Sequence, residues 1–187
     1  MKIGGKNIGI DYQPLIIAEM SGNHNQSLER ALEIVAAVAE SGAAAIKLQT
    51  LKPDEITLNV KKREFVINDE DSLWNGNALY DLYKLAQTPW EWHKPIMQRA
   101  KELGMLCFST PFDNSAVDFL EALNTPAYKI ASPEIIHLPL IKKVAATGKP
   151  MIISTGMATI TEINETVQTI REAGCEQFVL LKCTSTY

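Results

Sequence analysis

Two lysines occupy positions where an unpaired ammonium is costly. Lys47 lies in Ala44-Ala45-Ile46-Lys47-Leu48-Gln49 and Lys129 in Ala127-Tyr128-Lys129-Ile130-Ala131-Ser132, both otherwise apolar runs. A lysine buried in such a strand needs an anion or good acceptors beside it. Two of them facing one cavity suit a ligand that carries phosphate or carboxylate, each charged hydrogen bond contributing about 1.5–3 kcal/mol. Two other readings stand beside this one. The first is a structural salt bridge to Glu19 or Glu134. The second is a Schiff-base nucleophile, for which Lys182 is a third candidate. Glu19 and Glu134 are placed for proton transfer or for holding sugar hydroxyls, and equally as counter-ions to the lysines. Thr110, Ser132 and Ser154 are small donors able to cap phosphate oxygens, although such residues are also common in caps and turns. Ser154-Thr155-Gly156-Met157 precedes a helix, so its amides can point at an anion. His24, in Asn23-His24-Asn25, is a candidate for catalysis or substrate contact. His93 and His137 read as surface or loop residues, and Trp90 and Trp92 as helix packing. No pair of histidines has a spacing from which a metal site can be argued.

These residues need elements to hold them. Short apolar runs recur at Leu15 to Met20, Ala45 to Thr50, Met105 to Thr110, Tyr128 to Ser132, Met151 to Thr155 and Phe178 to Ser185. Each is continuously apolar at its start, as parallel strands covered on both faces are. Amphipathic segments lie between them, with Leu28, Leu32, Val35 and Ala39 at helical spacing, and likewise Ile160, Ile163, Val167 and Ile170. Ser27, Thr88-Pro89-Trp90-Glu91 and Thr159-Ile160-Thr161-Glu162 are helix starts, the last two of capping-box form. Gly42, Gly104, Gly148 and Gly174 are stops. Pro95 is awkward inside a helix begun at Pro89, which predicts a start nearer Lys94 or a kink.

Strands alternating with crossover helices imply a parallel sheet. The first strand is followed by Ser21-Gly22-Asn23-His24-Asn25-Gln26, without the glycine fingerprint of an open dinucleotide-binding sheet. Every run ends in polar residues, as a barrel enzyme needs around a central site: Glu19 and Ser21, Lys47 and Gln49, Ser109 and Thr110, Lys129 and Ser132, Ser154 and Thr155, Lys182 and Thr184. The expected fold is therefore α/β, a TIM (β/α)8-type barrel cut after about six strands, since a complete one takes about 250 residues. Residues 1–14 are expected to form a hairpin turning at Gly4-Gly5 that plugs the barrel's lower end, and residues 15–187 the incomplete barrel. The long connection from Leu51 to Ala78 leaves from the functional end and reads as a lid or binding loop, or as a surface insertion with a small hairpin. Cys183-Thr184-Ser185-Thr186-Tyr187, directly after an apolar run, is expected to be a cut rather than a natural end.

Composition narrows the function class. The 187 residues are 46% hydrophobic and 21% charged, with 18 basic against 22 acidic side chains and a net charge of −4. That is too apolar for disorder and too acidic for a nucleic-acid binder. No stretch approaches the roughly 20 apolar residues of a membrane span, and the N-terminus has no signal-peptide run. Three cysteines (Cys107, Cys175 and Cys183) without ligand spacing suggest a reduced, cytoplasmic setting.

In order and spacing, Glu19-Met20-Ser21-Gly22-Asn23-His24, Ile46-Lys47-Leu48-Gln49-Thr50, Phe108-Ser109-Thr110-Pro111-Phe112, Tyr128-Lys129-Ile130-Ala131-Ser132, Ser154-Thr155-Gly156-Met157 and Cys183-Thr184-Ser185-Thr186-Tyr187 resemble the sialic acid synthase family. That resemblance implies condensation of phosphoenolpyruvate with an open-chain acetamido sugar to a nine-carbon 2-keto acid, with phosphate released and a divalent metal (Mn2+ or Mg2+) required. Leu73-Trp74, Leu79-Tyr80-Asp81-Leu82-Tyr83, Thr88-Pro89-Trp90-Glu91-Trp92-His93, Ile130-Ala131-Ser132-Pro133-Glu134 and Leu181-Lys182-Cys183-Thr184 are similar to the pseudaminic acid synthase subgroup, although Pro133 departs from its pattern. The sugar it implies is 2,4-diacetamido-2,4,6-trideoxy-L-altrose. N-acetylneuraminate or legionaminate synthesis is the alternative, followed by a class I barrel aldolase or a non-catalytic anion- or sugar-binding barrel. By the resemblance, Lys47, Thr110, Lys129, Ser132, Ser154 and Ser185 hold phosphoenolpyruvate. Gln49, Tyr187, Asn23 and His24 face the sugar. Glu134 handles the proton, with Glu19 second. The family's metal ligands are two histidines on later strands, and its full-length members are homodimers with a C-terminal antifreeze-like domain. These 187 residues alone are therefore expected to hold no catalytic metal and to be inactive, with small molecules, not nucleic acid or membrane, as partners.

Overall fold

The computed structural model describes residues 1–184. Strands β1 (Lys2–Ile3) and β2 (Lys6–Asn7) pair antiparallel, Ile3 opposite Lys6, around the Gly4-Gly5 turn. Gly4 and Gly5 have φ of +52° and +85°, the left-handed pair that a two-residue hairpin turn demands. Six further strands form one sheet in sequential order: β3 (Ile17–Glu19), β4 (Ala45–Thr50), β5 (Leu106–Pro111), β6 (Tyr128–Ile130), β7 (Met151–Ser154) and β8 (Phe178–Leu181). All five adjacent pairs are parallel, with Glu19 beside Lys47, Gln49 beside Thr110 and Lys129 beside Ile152. Among the described residues β3 and β8 are its two edges.

The pleat sorts side chains onto two faces. Outward, Ile46, Leu48 and Cys107 pack on α1 (Leu28–Glu40) and α4 (Trp90–Glu102). Tyr128, Ile130, Met151 and Ile153 pack on α5 (Asn114–Ala122), α6 (Leu138–Ala145) and α7 (Ile160–Glu172). Inward, Ile17, Ala45, Leu106, Phe108, Ile152 and Val179 gather around Ile3, which is 1% exposed. Residues from five strands can meet one hairpin side chain only if the sheet curls around it. The hairpin thus closes the amino-terminal end of a half-barrel.

Local signals account for most boundaries. Ser27 accepts from the Arg30 amide, and Thr159 with Glu162 forms a reciprocal capping box. The expected box at Thr88 does not form: Pro89 occupies the N-cap, and the Thr88 hydroxyl is taken by His24. Helix α4 starts at Trp90 and continues through Pro95, contrary to the later start. The proline removes one early hydrogen bond, which the complete burial of His93, Ile96 and Ala100 outweighs. The long connection holds a one-turn helix α2 (Pro53–Ile56), a 3-10 turn at Arg63–Phe65, an isolated antiparallel bridge Val66–Ala78 and helix α3 (Leu79–Ala86) beyond it. No described helix is long and apolar enough to cross a membrane.

Candidate active site

The inward-facing residues change character toward the carboxyl ends of the strands. Below are the apolar groups around Ile3. Above them β3 offers Glu19, β4 Lys47 and then Gln49, β5 Thr110, β6 Lys129 and β7 Ser154, each on the inner face by the alternation of its strand. Glu19, Lys47 and Lys129 rim a cavity of about 530 Å³ floored by Ile3, Ile17, Phe108, Ile152 and Val179.

The two lysines are nearly sealed from solvent, 6% and 8% exposed. Lys47 Nζ lies 3.4 Å from Glu19 Oε2 and donates to Thr110 Oγ1 at 3.5 Å. The ion pair with Glu19, one alternative for Lys47, is therefore present, although Glu19's side chain is 57% exposed. Lys129 has neutral partners, donating to the Ile130 carbonyl at 2.7 Å and to Ser154 Oγ at 2.6 Å. Burial, and then the charge of Lys47, push its ammonium down to about 8. Two cations that repel each other, with one exposed carboxylate paired to the first of them, form a site that an anion would relieve.

Glu134 follows β6 in a short 3-10 turn, Pro133–Ile136, and is electrostatically coupled to Lys129. Burial raises its carboxyl above the ordinary range against the pull of its own backbone amide and of Lys129. Its Oε2 is buried without a hydrogen-bond partner among the described residues. Tyr83 of α3 feels the same carboxylate: burial and then that charge raise its phenol. The sequence marks Tyr83 only as part of Leu79-Tyr80-Asp81-Leu82-Tyr83, because its coupling to Glu134 joins residues about fifty positions apart. Ser132 accepts from the Gly156 amide at 3.1 Å, tying the loops after β6 and β7 together beside Lys129 and Ser154.

Other expected residues stand apart. His24 is fully buried: its Nδ1 accepts from the Gln26 amide at 3.2 Å, and its Nε2 meets Thr88 Oγ1 at 3.1 Å. Both nitrogens are thus spent holding the loop after β3 against α4, where the ring also stands edge-on to Trp92 at 5.6 Å. Asn23 is exposed and lines a separate pocket of about 680 Å³ with Trp74 and Tyr83. Lys182 is exposed just past β8, because Leu181 takes the inward position, so it is no third interior lysine. His93 is no surface residue: it is 0% exposed and bonded to Thr50. His137 is exposed, and Trp90 packs by stacking on Phe119 at 4.4 Å. Ser185 and Tyr187 lie outside the described residues. Among the described residues no three His, Cys, Asp or Glu side chains converge as metal donors. With His24 and His93 committed to hydroxyls and backbone, they do not form a metal centre by themselves.

Comparison with known proteins places this geometry. The NeuB family model matches residues 34–187. The pseudaminic acid synthase of Helicobacter pylori is 47% identical over 174 residues, covering 93% of this chain and 51% of that protein. That of Campylobacter jejuni serotype O:2 is 44% identical over 187 residues, covering 100% and 53%. The N,N'-diacetyllegionaminic acid synthase of Legionella pneumophila is 36% identical, covering 100% and 53%. The crystal structure of N-acetylneuraminic acid synthetase from Leptospira borgpetersenii superposes with a TM-score of 0.83 at 27% identity, covering 100% of this chain and 60% of that one. The chain spans about half the length of the curated relatives it matches. With a matched segment that includes every inward polar residue from Lys47 to Ser154, the chain belongs to the NeuB family.

Proposed function

We propose that this chain carries the phosphoenolpyruvate site of a nonulosonic acid synthase of the pseudaminic type. One observation carries the reading: Lys47 and Lys129 are both buried on the inner face of β4 and β6, with Thr110 and Ser154 as hydroxyl partners, and among the described residues Glu19, on Lys47, is the one paired counter-ion. A compact polyanion with both a phosphate and a carboxylate matches two ammonium groups better than a neutral sugar does. The higher identity to pseudaminic than to legionaminic acid synthases supports the choice of sugar.

The residues then divide the work. Lys47, Lys129, Thr110, Ser132 and Ser154 hold the charged groups of phosphoenolpyruvate and fix its methylene carbon against the aldehyde of the open-chain sugar. That carbon forms the new carbon–carbon bond, and the aldehyde oxygen takes a proton. Glu134 is the donor: burial raises its carboxyl toward the range useful for proton transfer, and among the described residues Oε2 has no competing partner. Water adds to the former enol carbon, the bond from that carbon to the phosphate oxygen breaks, and the 2-keto group forms as its hydroxyl loses a proton. Glu19 is the second candidate for these transfers. In the whole protein, the divalent cation that the family resemblance implies would act as a Lewis acid toward the sugar aldehyde.

The test is turnover. The full-length protein carrying this chain, given phosphoenolpyruvate, a divalent cation and 2,4-diacetamido-2,4,6-trideoxy-L-altrose, should release phosphate and yield the mass of the nine-carbon acid. Preference for N-acetylmannosamine would overturn the pseudaminic assignment. Borohydride trapping of Lys129 with a keto substrate would replace the synthase reading with a class I aldolase.

A further inference from the structure

Behind the site, on the outer face of the sheet, three polar side chains interrupt an otherwise apolar layer. Thr50 Oγ1 lies 2.8 Å from His93 Nε2 and 2.7 Å from Ser109 Oγ, and His93 Nδ1 lies 3.3 Å from the Pro89 carbonyl. Thr50 and His93 are 0% exposed and Ser109 is 1% exposed. The direction of every bond follows from the end of the chain of contacts. A carbonyl only accepts, so His93 Nδ1 carries the proton and Nε2 is an acceptor. Thr50 then donates to His93 and accepts from Ser109. Burial, opposed by nearby backbone carbonyls, holds the ring's acid strength at about 4, so the ring stays neutral and the order of donors stays fixed. Phe119 closes the remaining side of the imidazole edge-on at 5.2 Å.

The location is what gives this network a role. Thr50 and Ser109 sit at the carboxyl ends of β4 and β5, immediately beside Gln49 and Thr110, which are register partners on the inner face. A hydroxyl-to-hydroxyl bond on the outer face and a paired Gln49–Thr110 on the inner face grip the same two strand ends. An apolar trio of similar volume would fill the space with no desolvation cost. The polar trio instead ties both strand ends to α4 in one rotamer and one bonding direction.

We infer that His93, Thr50 and Ser109 are positioning residues that hold Thr110, in register with its strand partner Gln49, for phosphoenolpyruvate. This rests on the proposed function above. None of the three reaches the cavity, and they act only through their strand neighbours. The test uses the full-length protein and the variants Thr50→Val, Ser109→Ala, His93→Phe and His93→Gln. Thr50→Val and His93→Phe should lower kcat/KM for phosphoenolpyruvate by about tenfold or more, as sub-ångström misplacement does. His93→Gln, which keeps a donor for Pro89 and an acceptor for Thr50, should recover most of it. Phosphoenolpyruvate titration calorimetry on folded protein should follow the same order. A purely structural role predicts lower melting temperatures with kcat, KM and binding unchanged per folded molecule, and that result in Thr50→Val and Ser109→Ala overturns the inference even if His93→Phe fails to fold. Wild-type protein that neither binds nor consumes phosphoenolpyruvate refutes the proposed function instead, and the inference with it.

Discussion

Replacing Lys129 with methionine should weaken the site and strengthen the fold at once. In the folded chain burial and Lys47 depress the Lys129 ammonium from 10.5 to about 8, which corresponds to roughly 3 kcal/mol of unfavourable burial. Methionine removes that cost but forfeits the bonds to the Ile130 carbonyl and Ser154, about 1 kcal/mol each. The net gain at pH 7 is therefore about 1 kcal/mol. A lysine whose folded-state value is lowered binds fewer protons folded than unfolded between about 8 and 10.5, so wild-type stability rises with pH across that window. The advantage of the variant should shrink over the same range and reverse above it, leaving the variant about 2 kcal/mol less stable than wild type. Losing the ammonium should cost phosphoenolpyruvate about 1.5–3 kcal/mol, a factor of roughly 10 to 150 in Kd. Urea unfolding at pH 7 and pH 10 reads the first effect, and titration calorimetry at pH 7 the second. A Lys129→Met protein that is clearly less stable at pH 7 and still binds phosphoenolpyruvate normally would refute the reasoning, since Lys129 would then be a structural group.

Other outcomes follow from the same geometry. Phosphoenolpyruvate affinity should fall as pH rises past about 8, where Lys129 loses its proton, and a flat calorimetric profile to pH 10 would contradict this. Glu134→Gln should lower kcat by about a hundredfold with phosphoenolpyruvate Kd nearly unchanged, measured by phosphate release and calorimetry. Gly4→Ala should destabilise the protein by about 1–3 kcal/mol in urea unfolding, because its Cβ would meet the Leu106 side chain in a backbone of positive φ. Gly5→Ala, with open space around its Cβ, should cost less, and equal losses would argue against the packed plug.

The strands and the polar rim could be read from the sequence because continuous apolar runs with polar ends record both faces of a buried parallel strand. Lys47 and Lys129 announced themselves by being the wrong residue type for their surroundings. What escaped depends on contacts between distant positions. His93 looks like a polar helix residue until Thr50 and Ser109, from other strands, supply its partners. Thr88 carries a capping signature, but His24 from the loop after β3 competes for its hydroxyl. Lys182 resembles Lys47 in sequence, and only the pleat of β8, with Val179 and Leu181 inward, turns it away. The charge of Glu134 reaches Tyr83 across about fifty positions of sequence, which no local pattern encodes.

In the proposed function the inward side chains of β4 to β7 form the phosphoenolpyruvate cradle. A crystal structure of the full-length protein soaked with phosphoenolpyruvate is the decisive measurement. The ligand's anionic groups should lie within hydrogen-bond distance of Lys47 Nζ and Lys129 Nζ, with Ser154 and Thr110 hydroxyls turned toward it. Phosphoenolpyruvate bound elsewhere, with Lys129 still bonded only to Ile130 and Ser154, would contradict it.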